Sequence, residues 1–259
     1  MNLQYKGIDI FYRDEGEGPA VVLLHGFLED SSMWEDLTPK LTKRNRVISI
    51  DLLGHGKTGC LGYIHTMQDM ATTVSLVLKK LRLRKYTFIG HSMGGYVALA
   101  FAKLHLRSIK GLCLLNSTYE EDNKDRKQLR ARANKMVQNN YENMVRISFA
   151  NLFNDESKLK HNKAYNNALE VALKTPVQGY IAANEGMRLR KDASNFFAEA
   201  SFKKVILLGK KDTILNTEEI VEFTDKHNIK THVFSEGHMS YIENKKDFIR
   251  EVMHFVENI

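Results

Sequence analysis

One short stretch, residues 88–96, limits the folds open to this chain more than any other. The apolar run Tyr86–Ile89 predicts the end of a buried strand, and the alanine-rich run Val97–Ala102 predicts a helix. Between them lies Gly-x-Ser-x-Gly, with Ser92 at its centre. A strand that becomes a helix within about four residues forces its central residue into strained backbone geometry, and the flanking glycines let the two elements approach closely. The pattern therefore predicts that the side chain of Ser92 is exposed at the end of a strand and at the positive end of a helix.

The rest of the chain supplies further strands of the same kind. Residues 2–13 alternate between apolar and polar positions, which predicts an N-terminal hairpin. Helical patterns then separate most of the buried runs, so the fold class is α/β with a doubly wound, mostly parallel sheet. The predicted buried strands are Ala20–Leu24, Arg46–Ile50, Ile109–Leu115, Lys204–Leu208 and Thr231–Phe234.

Two helix starts are predicted close to the ends of these strands. Ser31 is expected to cap a helix that runs to Leu41, because apolar residues recur there at helical spacing. Thr217 is expected to cap another helix, with two glutamates in its first turn.

Buried strands disappear between residues 118 and 202, where amphipathic helical patterns replace them. This predicts a helical insertion of roughly eighty residues over the strand ends, a length well beyond an ordinary connection. We call residues 118–202 the cap segment. The predicted division is an α/β core formed by residues 1–117 and 203–259, with the cap segment inserted as a lid.

A serine hydroxyl is a poor nucleophile at neutral pH, and it needs a base within hydrogen-bond reach and a carboxylate to orient that base. In an open α/β sheet these groups belong just beyond the carboxyl ends of later strands. Asp212 follows one such strand in Gly-Lys-Lys-Asp, and His238 follows the last strand in Ser-Glu-Gly-His. The resulting order of serine, acid and histidine is the one expected for this fold.

Other residues compete for the two roles. His232 and His254 fall inside predicted elements, and His227 ends a helix, whereas His238 lies in a loop behind a glycine. Asp225 is a helix residue and competes less well than Asp212. The remaining histidines near strand ends match no standard zinc spacing, so no metal site is predicted.

Five motifs in order resemble the α/β-hydrolase superfamily across essentially the whole chain. They are His25-Gly26-Phe27, the turn from Asp51 to Gly56, the run from Gly90 to Gly95, the loop from Gly209 to Asp212, and Gly237-His238. Each motif alone is weak evidence, but the five in this order and structural context are strong.

The resemblance implies a role for each site residue. Ser92 would be the nucleophile, His238 the general base and acid, and Asp212 the carboxylate that orients His238. The backbone N–H groups of Phe27 and Met93 would form the oxyanion hole. No cofactor is implied, and a dehalogenase is disfavoured because such a relative would carry aspartate in place of Ser92.

Charge is concentrated at the start of the cap segment. Of the formal net charge of +7, a net +6 lies within residues 123–164. A solvated helix face accounts for this excess, but an anion-binding surface that favours an acidic substrate or an acidic carrier protein is the alternative. Nucleic acid is not expected, because no aromatic and basic strand platform accompanies the charge. The ten cations are Lys124, Arg126, Lys127, Arg130, Arg132, Lys135, Arg146, Lys158, Lys160 and Lys163.

Composition indicates a cytoplasmic protein. No window approaches the apolar length of a membrane span, and the first residues lack the basic-then-apolar pattern of a signal peptide. Cys60 and Cys113 are far apart in sequence, which argues against a disulfide framework. Cys113 falls in a predicted strand and is expected to be a core residue.

The combined prediction is a serine hydrolase that cleaves a small carboxylic ester through an acyl-enzyme on Ser92. Three alternatives stay open. The chain could be a lyase or C–C hydrolase acting on an anionic substrate, or a methyl esterase acting on a carrier protein that docks on the cap segment. It could also be a small-molecule sensor that keeps the triad without turnover.

Overall fold

A single eight-stranded sheet organises the protein. The computed structural model describes the whole chain, from Met1 to Ile259. The strands follow the spatial order β1-β2-β4-β3-β5-β6-β7-β8, and all neighbouring pairs from β4 onward in this order are parallel. The strands are β1 (Asn2–Tyr5), β2 (Ile8–Glu15), β3 (Ala20–Leu24), β4 (Arg46–Ile50), β5 (Tyr86–His91), β6 (Ile109–Leu115), β7 (Lys203–Gly209) and β8 (Lys230–Phe234).

Only β1 and β2 run antiparallel to their neighbours, as the N-terminal hairpin and its pairing with β4. The predicted doubly wound, mostly parallel sheet is therefore confirmed. Strands β3, β4 and β6 begin and end at the predicted residues, and β7 and β8 differ by one residue at their ends. Continuous apolar runs are easily recognised because parallel strands are covered on both faces.

Helices cover both faces of the sheet, and two further short segments are 3₁₀ helices (Ser31–Trp34 and Leu106–Ser108). No helix combines the length with the apolar composition that a membrane span requires. The α-helices are α1 (Thr38–Leu41), α2 (Met67–Lys80), α3 (Met93–Leu104), α4 (Lys124–Met136), α5 (Tyr141–Ala150), α6 (Asp155–Lys160), α7 (Asn162–Ala172), α8 (Val177–Leu189), α9 (Ser194–Glu199), α10 (Thr217–Lys226), α11 (Ser240–Glu243) and α12 (Lys245–Glu257).

The core forms two layers, one on each face of the sheet. On β3, Val22 packs with the layer that contains α2 and α3, whereas Val21 packs with the layer that contains α1 and α12. Alternate side chains of a strand point to opposite faces, so one apolar strand contributes to both layers. Cys113 is fully buried in the second layer, as predicted for a core residue. Both layers fix the sheet, and the strand ends stay free to form a site.

Two helix predictions were wrong in detail. The helix expected from Ser31 to Leu41 is instead a 3₁₀ turn followed by the single turn α1, and its cap is Asp30, which accepts a hydrogen bond from the N–H of Ser32 at 2.8 Å. Pro39 lacks the N–H that a continuous helix would need to bond four residues back. The cap of α10 is Asn216 and not Thr217, whose hydroxyl donates to the carbonyl of Gly209 at 2.8 Å.

Six helices, α4 to α9, lie between β6 and β7, and a third apolar cluster is formed mainly by residues of α5, α7 and α8. In this cluster Val145 and Phe149 of α5 and Tyr180 of α8 pack against Leu28, which follows β3, and Met239, which follows β8. The cluster therefore joins the cap segment to two loops at the carboxyl edge of the sheet. Leu129 of α4 stays outside this cluster and is largely exposed.

Candidate active site

The turn between β5 and α3 has the strained geometry that its sequence predicts. Ser92 has φ of 48° and ψ of −114°, a conformation in the left-handed half of φ space that non-glycine residues rarely adopt. A Cβ at Gly94 would lie 2.2 Å from the carbonyl oxygen of Leu24, so only glycine lets α3 approach the end of β3 this closely. The hydroxyl of Ser117 donates to the carbonyl of Ser92 at 2.7 Å and helps to hold the strained residue.

Ser92, His238 and Asp212 come together at the carboxyl edge of the sheet, although they lie far apart in sequence. The Nε2 atom of His238 is 3.0 Å from the Oγ of Ser92, and its Nδ1 is 2.7 Å from Oδ2 of Asp212. The side chains of His238 and Asp212 are 1% and 0% exposed. The imidazole thus bridges the hydroxyl to the carboxylate, which is the arrangement that activates a serine.

The carboxylate of Asp212 is fully hydrogen-bonded. Its Oδ1 accepts the backbone N–H groups of Ile214 and Leu215 at 2.7 and 3.0 Å, and its Oδ2 accepts the Asn116 amide at 3.2 Å in addition to His238. Burial alone would raise the pKa of Asp212, but His238 and the backbone donors outweigh burial and lower it. Asp212 is therefore ionised at neutral pH. The contribution of Asn116 was missed from the sequence, because its left-handed backbone conformation, with φ of 42°, has no sequence signal.

The backbone N–H groups of Phe27 and Met93 both lie at this edge. Phe27 lies in a turn that follows β3. In this turn the N–H of Glu29 donates to the carbonyl of Gly26 at 3.4 Å, and Leu28 has a positive φ of 65°. The N–H of Phe27 donates to no other group of the protein. Met93 is the first residue of α3, where N–H groups have no partner within the helix. Both donors are thus free to bind an oxygen atom of a ligand.

A second buried carboxylate–histidine pair, also missed from the sequence, lies beside the first. The Nδ1 of His91 is 2.7 Å from Oε2 of Glu29, and the Nε2 of His91 is 3.2 Å from the carbonyl oxygen of His238. The same Glu29 oxygen accepts the N–H of Gly26 at 2.6 Å. Burial opposes both charges, but each group favours the ionised form of the other, so the pKa of Glu29 is lowered and that of His91 is raised. This ion pair joins the Phe27 turn to the backbone of His238.

The other histidines are bound by backbone groups or lie away from Ser92. His25 accepts the N–H of Leu52 at its Nε2 and donates to the Gly26 carbonyl at its Nδ1, at 2.8 and 2.7 Å. Burial, followed by the charge of His25, lowers the pKa of His55 to about 3. No three His, Cys, Asp or Glu side chains come together as a metal site.

The rejected candidates for the triad also have clear positions. His232 lies in β8, His254 in α12 and Asp225 in α10, and His227 is the residue that ends α10. None of them is hydrogen-bonded to Ser92, whose Oγ contacts His238.

A cavity of about 250 Å³ opens in front of Ser92 and His238. Core loops form one wall through Phe27 and Leu28, and the cap segment forms the other through α4, α5 and α8. The rings of Phe27 and Tyr180 meet edge to face at 4.9 Å between their centroids. The cavity is lined by apolar and polar groups and open on one side, and its volume is slightly below the roughly 300 Å³ at which the usual range for ligand pockets begins.

Comparison with known proteins finds similar hydrolytic enzymes. The 3-oxoadipate enol-lactonase 1 of Acinetobacter baylyi is 26% identical over 263 residues, which span all of this chain and 96% of that protein. The 2-hydroxy-6-oxo-6-(2'-aminophenyl)hexa-2,4-dienoic acid hydrolase of Metapseudomonas resinovorans is 27% identical, over 96% of this chain and 88% of that protein. A malate-bound structure of a thermophilic esterase from Thermogutta terrifontis superposes with a TM-score of 0.91 at 26% identity, over 99% of this chain and 96% of that one.

The family model for the α/β-hydrolase fold matches residues 19–245, which is most of the chain. This match confirms the resemblance found in the five motifs, and the similar proteins are hydrolytic enzymes. The chain therefore belongs to the α/β-hydrolase fold family and is an enzyme of that family.

Proposed function

We propose that the protein is a serine hydrolase that cleaves a small carboxylic ester through an acyl-enzyme on Ser92. The proposal rests on one observation, the continuous hydrogen-bonded arrangement from Asp212 through His238 to the hydroxyl of Ser92, with distances of 2.7 and 3.0 Å. In this arrangement the Nε2 of His238 accepts the hydroxyl proton while the Oγ of Ser92 attacks the ester carbonyl.

The negative charge that develops on the carbonyl oxygen needs donors that are already in place. The N–H groups of Phe27 and Met93 are the candidates, because neither is used within the protein and both lie at the same edge of the sheet as Ser92. Each donor of this kind typically stabilises the transition state by about 3 kcal/mol. They are backbone groups, so this part of the site does not depend on the side chains at these positions.

Collapse of the tetrahedral intermediate releases the alcohol, which takes the proton from His238. A water molecule then gives its proton to His238 and attacks the acyl group, and the carboxylic acid leaves as Ser92 regains its proton. The lowered pKa of Asp212 keeps this carboxylate ionised throughout, so it stabilises the imidazolium form of His238 without taking its proton. No cofactor takes part in this sequence.

The cap segment is proposed to act as the lid that selects the substrate. Its helices supply the outer wall of the cavity, and it touches the loop after β7, where the hydroxyl of Thr213 donates to the carbonyl of Asn151 at 2.6 Å. The core would then supply the chemistry, and the cap segment would decide which acyl and alcohol groups fit.

A second candidate is hydrolysis of a lactone or of a C–C bond in an acidic substrate. The names of the enol-lactonase and of the dienoic acid hydrolase favour it, and so do two arginines in the cavity wall, Arg126 and Arg130. Both reactions would use the same three residues.

Labelling with a fluorophosphonate probe tests the nucleophile. We expect the native protein to be labelled stoichiometrically and the Ser92→Ala variant to remain unlabelled. Ser148→Ala is the matched control, because Ser148 lines the same cavity but its hydroxyl is hydrogen-bonded to Tyr180 and not to His238. A panel of esters of graded acyl length then identifies the preferred substrate size. Equal labelling of native protein and Ser92→Ala would overturn the proposal.

A further inference from the structure

The charges in the wall of the catalytic cavity differ from those on the rest of the cap segment. Of the ten cations counted between residues 123 and 164, only Arg126 and Arg130 line the cavity. Several others pair with carboxylates on the outer surface, as Lys127 does with Glu121 and Arg146 with Glu142, each at 2.6 Å. Most of the basic excess is thus a solvated face, and the two arginines in the cavity need their own explanation.

Arg130 is held by groups of the protein. Its Nε donates to Asp122 at 2.5 Å and its Nη1 donates to the side chain of Asn184 at 2.9 Å. Asp122 is buried and also accepts a hydrogen bond from Arg190 at 2.7 Å. Two guanidinium groups share one carboxylate, which leaves a net positive charge beside the cavity.

Arg126 has no carboxylate partner at all. Its one side-chain hydrogen bond runs from Nη2 to the carbonyl of Ile214 at 2.7 Å, and its guanidinium forms no ion pair with a carboxylate of the protein. The other N–H groups of its guanidinium have no acceptor in the protein. Ile214 belongs to the loop that binds Asp212, so this single bond fixes Arg126 relative to the proposed triad.

The only acidic residue in the cavity wall does not neutralise these arginines. Glu29 lines the cavity but forms its ion pair with His91, which also lowers its pKa through the charge of the imidazolium. The cavity in front of Ser92 therefore has one oriented guanidinium with unused donors and a net positive wall. Such a group pairs with a carboxylate through two parallel hydrogen bonds.

From these contacts we infer that Arg126 binds a carboxylate carried by the substrate, so that the preferred ester or lactone is a derivative of a short dicarboxylic acid. The inference rests on the proposed hydrolase function and adds the chemical class of the substrate. Arg126 and Ser92 line the same cavity of about 250 Å³, so a short substrate can contact both residues at once.

Matched ester pairs test the assignment. Monomethyl succinate, glutarate and adipate are each compared with the neutral analogue in which a primary amide replaces the free carboxylate. We expect native protein to hydrolyse at least one acid with a kcat/KM about tenfold above that of its amide, because a charge-assisted pair is lost in the amide. In Arg126→Met this ratio falls about tenfold towards one, mainly through KM. Arg126→Lys keeps part of the preference, because it keeps the charge and loses the paired donors.

Arg132→Met is the matched control. Arg132 lies on the same helix, is exposed and forms no ion pair, so its removal changes the charge of α4 equally without touching the cavity. We expect Arg132→Met to keep the native preference for the acid. An equal preference in Arg126→Met and Arg132→Met, or no preference for the acid in native protein, overturns the inference.

Failure of the proposed function gives a different result. Hydrolysis of the amide esters that is lost in Ser92→Ala supports the serine mechanism whatever happens at Arg126. Hydrolysis that is unchanged in Ser92→Ala, or absence of hydrolysis of all esters by the native protein, overturns the proposed function and the inference with it. Urea unfolding of each arginine variant distinguishes a folding defect from a change in specificity.

Discussion

Two buried carboxylate–histidine pairs lie side by side at the carboxyl edge of the sheet. In each pair a carboxylate oxygen is 2.7 Å from a histidine Nδ1, and the two imidazole rings are 5.4 Å apart between their centroids. The pairs differ at the other nitrogen of the ring. The Nε2 of His238 faces the hydroxyl of Ser92, whereas that of His91 faces the carbonyl oxygen of His238.

That single difference decides what each histidine can do. A hydroxyl can donate a proton, so the Nε2 of His238 can be a bare acceptor while its Nδ1 donates to Asp212. A carbonyl only accepts, so the Nε2 of His91 must hold a proton, and its Nδ1 also donates to Glu29. His91 is thus a buried imidazolium, in agreement with its raised pKa, and it has no site at which to accept a proton. The same two functional groups therefore form a proposed proton shuttle in one place and a fixed ion pair in the other.

Removing each histidine in turn should give the largest difference between the two pairs. We expect His238→Gln to lower kcat by about 10⁵–10⁶-fold with little loss of stability. His91→Gln should lower the free energy of unfolding by about 3–5 kcal/mol, because it leaves Glu29 buried and unpaired, with a smaller effect on kcat. Hydrolysis of 4-nitrophenyl acetate and urea unfolding measure the two effects. A loss of kcat in His91→Gln as large as that in His238→Gln, at native stability, would place His91 in the chemistry.

The carboxylates give the second contrast. Asp212→Asn should lower kcat by about 10⁴-fold, because the amide no longer selects the tautomer of His238 that carries its proton on Nδ1. Glu29 accepts the N–H of Gly26 and does not contact the imidazole of His238. Glu29→Gln should therefore lower kcat only indirectly, by loosening the turn that holds the N–H of Phe27. Single-turnover kinetics on both variants separate the two mechanisms. If Asp225→Asn were as harmful as Asp212→Asn, the acid would have to be reassigned.

A titration sharpens the assignment of charge to His91. Its pKa is raised above its ordinary value of 6.5, so its contribution to stability is complete below pH 6.5 and is lost as the pH rises through the folded pKa. The pKa of Glu29 is lowered below 4.5, so its contribution is complete above pH 4.5 and is lost as the pH falls through the folded value. The difference in free energy of unfolding between the native protein and the double variant Glu29→Gln/His91→Gln should therefore be largest between pH 4.5 and pH 6.5. Urea midpoints of both proteins from pH 3 to pH 9 measure the difference, and a difference that stays constant above pH 6.5 contradicts an ionised pair.

The smallest effect on kcat is expected at Asn116, which contacts the Asp212–His238 pair and not the Glu29–His91 pair. Asn116→Ala removes the long hydrogen bonds of its amide to Oδ2 of Asp212 and to the carbonyl of Gly237, at 3.2 and 3.3 Å. Both backbone bonds to Oδ1 of Asp212 stay in place, so kcat should fall by only about 3–10-fold. The matched control is Thr217→Ala, whose hydroxyl binds the nearby carbonyl of Gly209 but not the carboxylate. Steady-state kinetics on the same ester should leave the control near the native rate.

The features that could be predicted from the sequence are those encoded in short, continuous segments of the chain. Buried parallel strands appear as uninterrupted apolar segments, and the loops that follow them meet at one edge of the sheet. Ser92, Asp212 and His238 each follow such a strand, so the sequence predicts that they lie near one another. The fold class was recognised for the same reason. The prediction of one helix from Ser31 to Leu41 was wrong because of Pro39. This residue interrupts the backbone hydrogen bonds of a helix but leaves the helical spacing of the apolar residues unchanged.

The second pair could not be predicted, because its members belong to different parts of the chain. Glu29 and His91 are 62 residues apart, and Asn116 and Asp212 are 96 apart. Nothing in the local pattern around Glu29 distinguishes a buried glutamate from an exposed one in a loop. The cap segment was equally hard to interpret, because the ten cations look alike in sequence and only their positions separate Arg126 from a solvated face.

The close approach of Gly94 to the end of β3 has a consequence for mutational tolerance. The two proposed oxyanion donors are backbone groups, so most substitutions at Phe27 or Met93 leave the N–H itself in place. Their spacing depends instead on α3 resting against the carbonyl oxygen of Leu24, where even a methyl group at position 94 would lie 2.2 Å away. In a saturation library selected for turnover, we expect several residue types at positions 27 and 93 and glycine alone at position 94. Of positions 27, 93 and 94, the least replaceable would then be the one whose residue never touches the substrate.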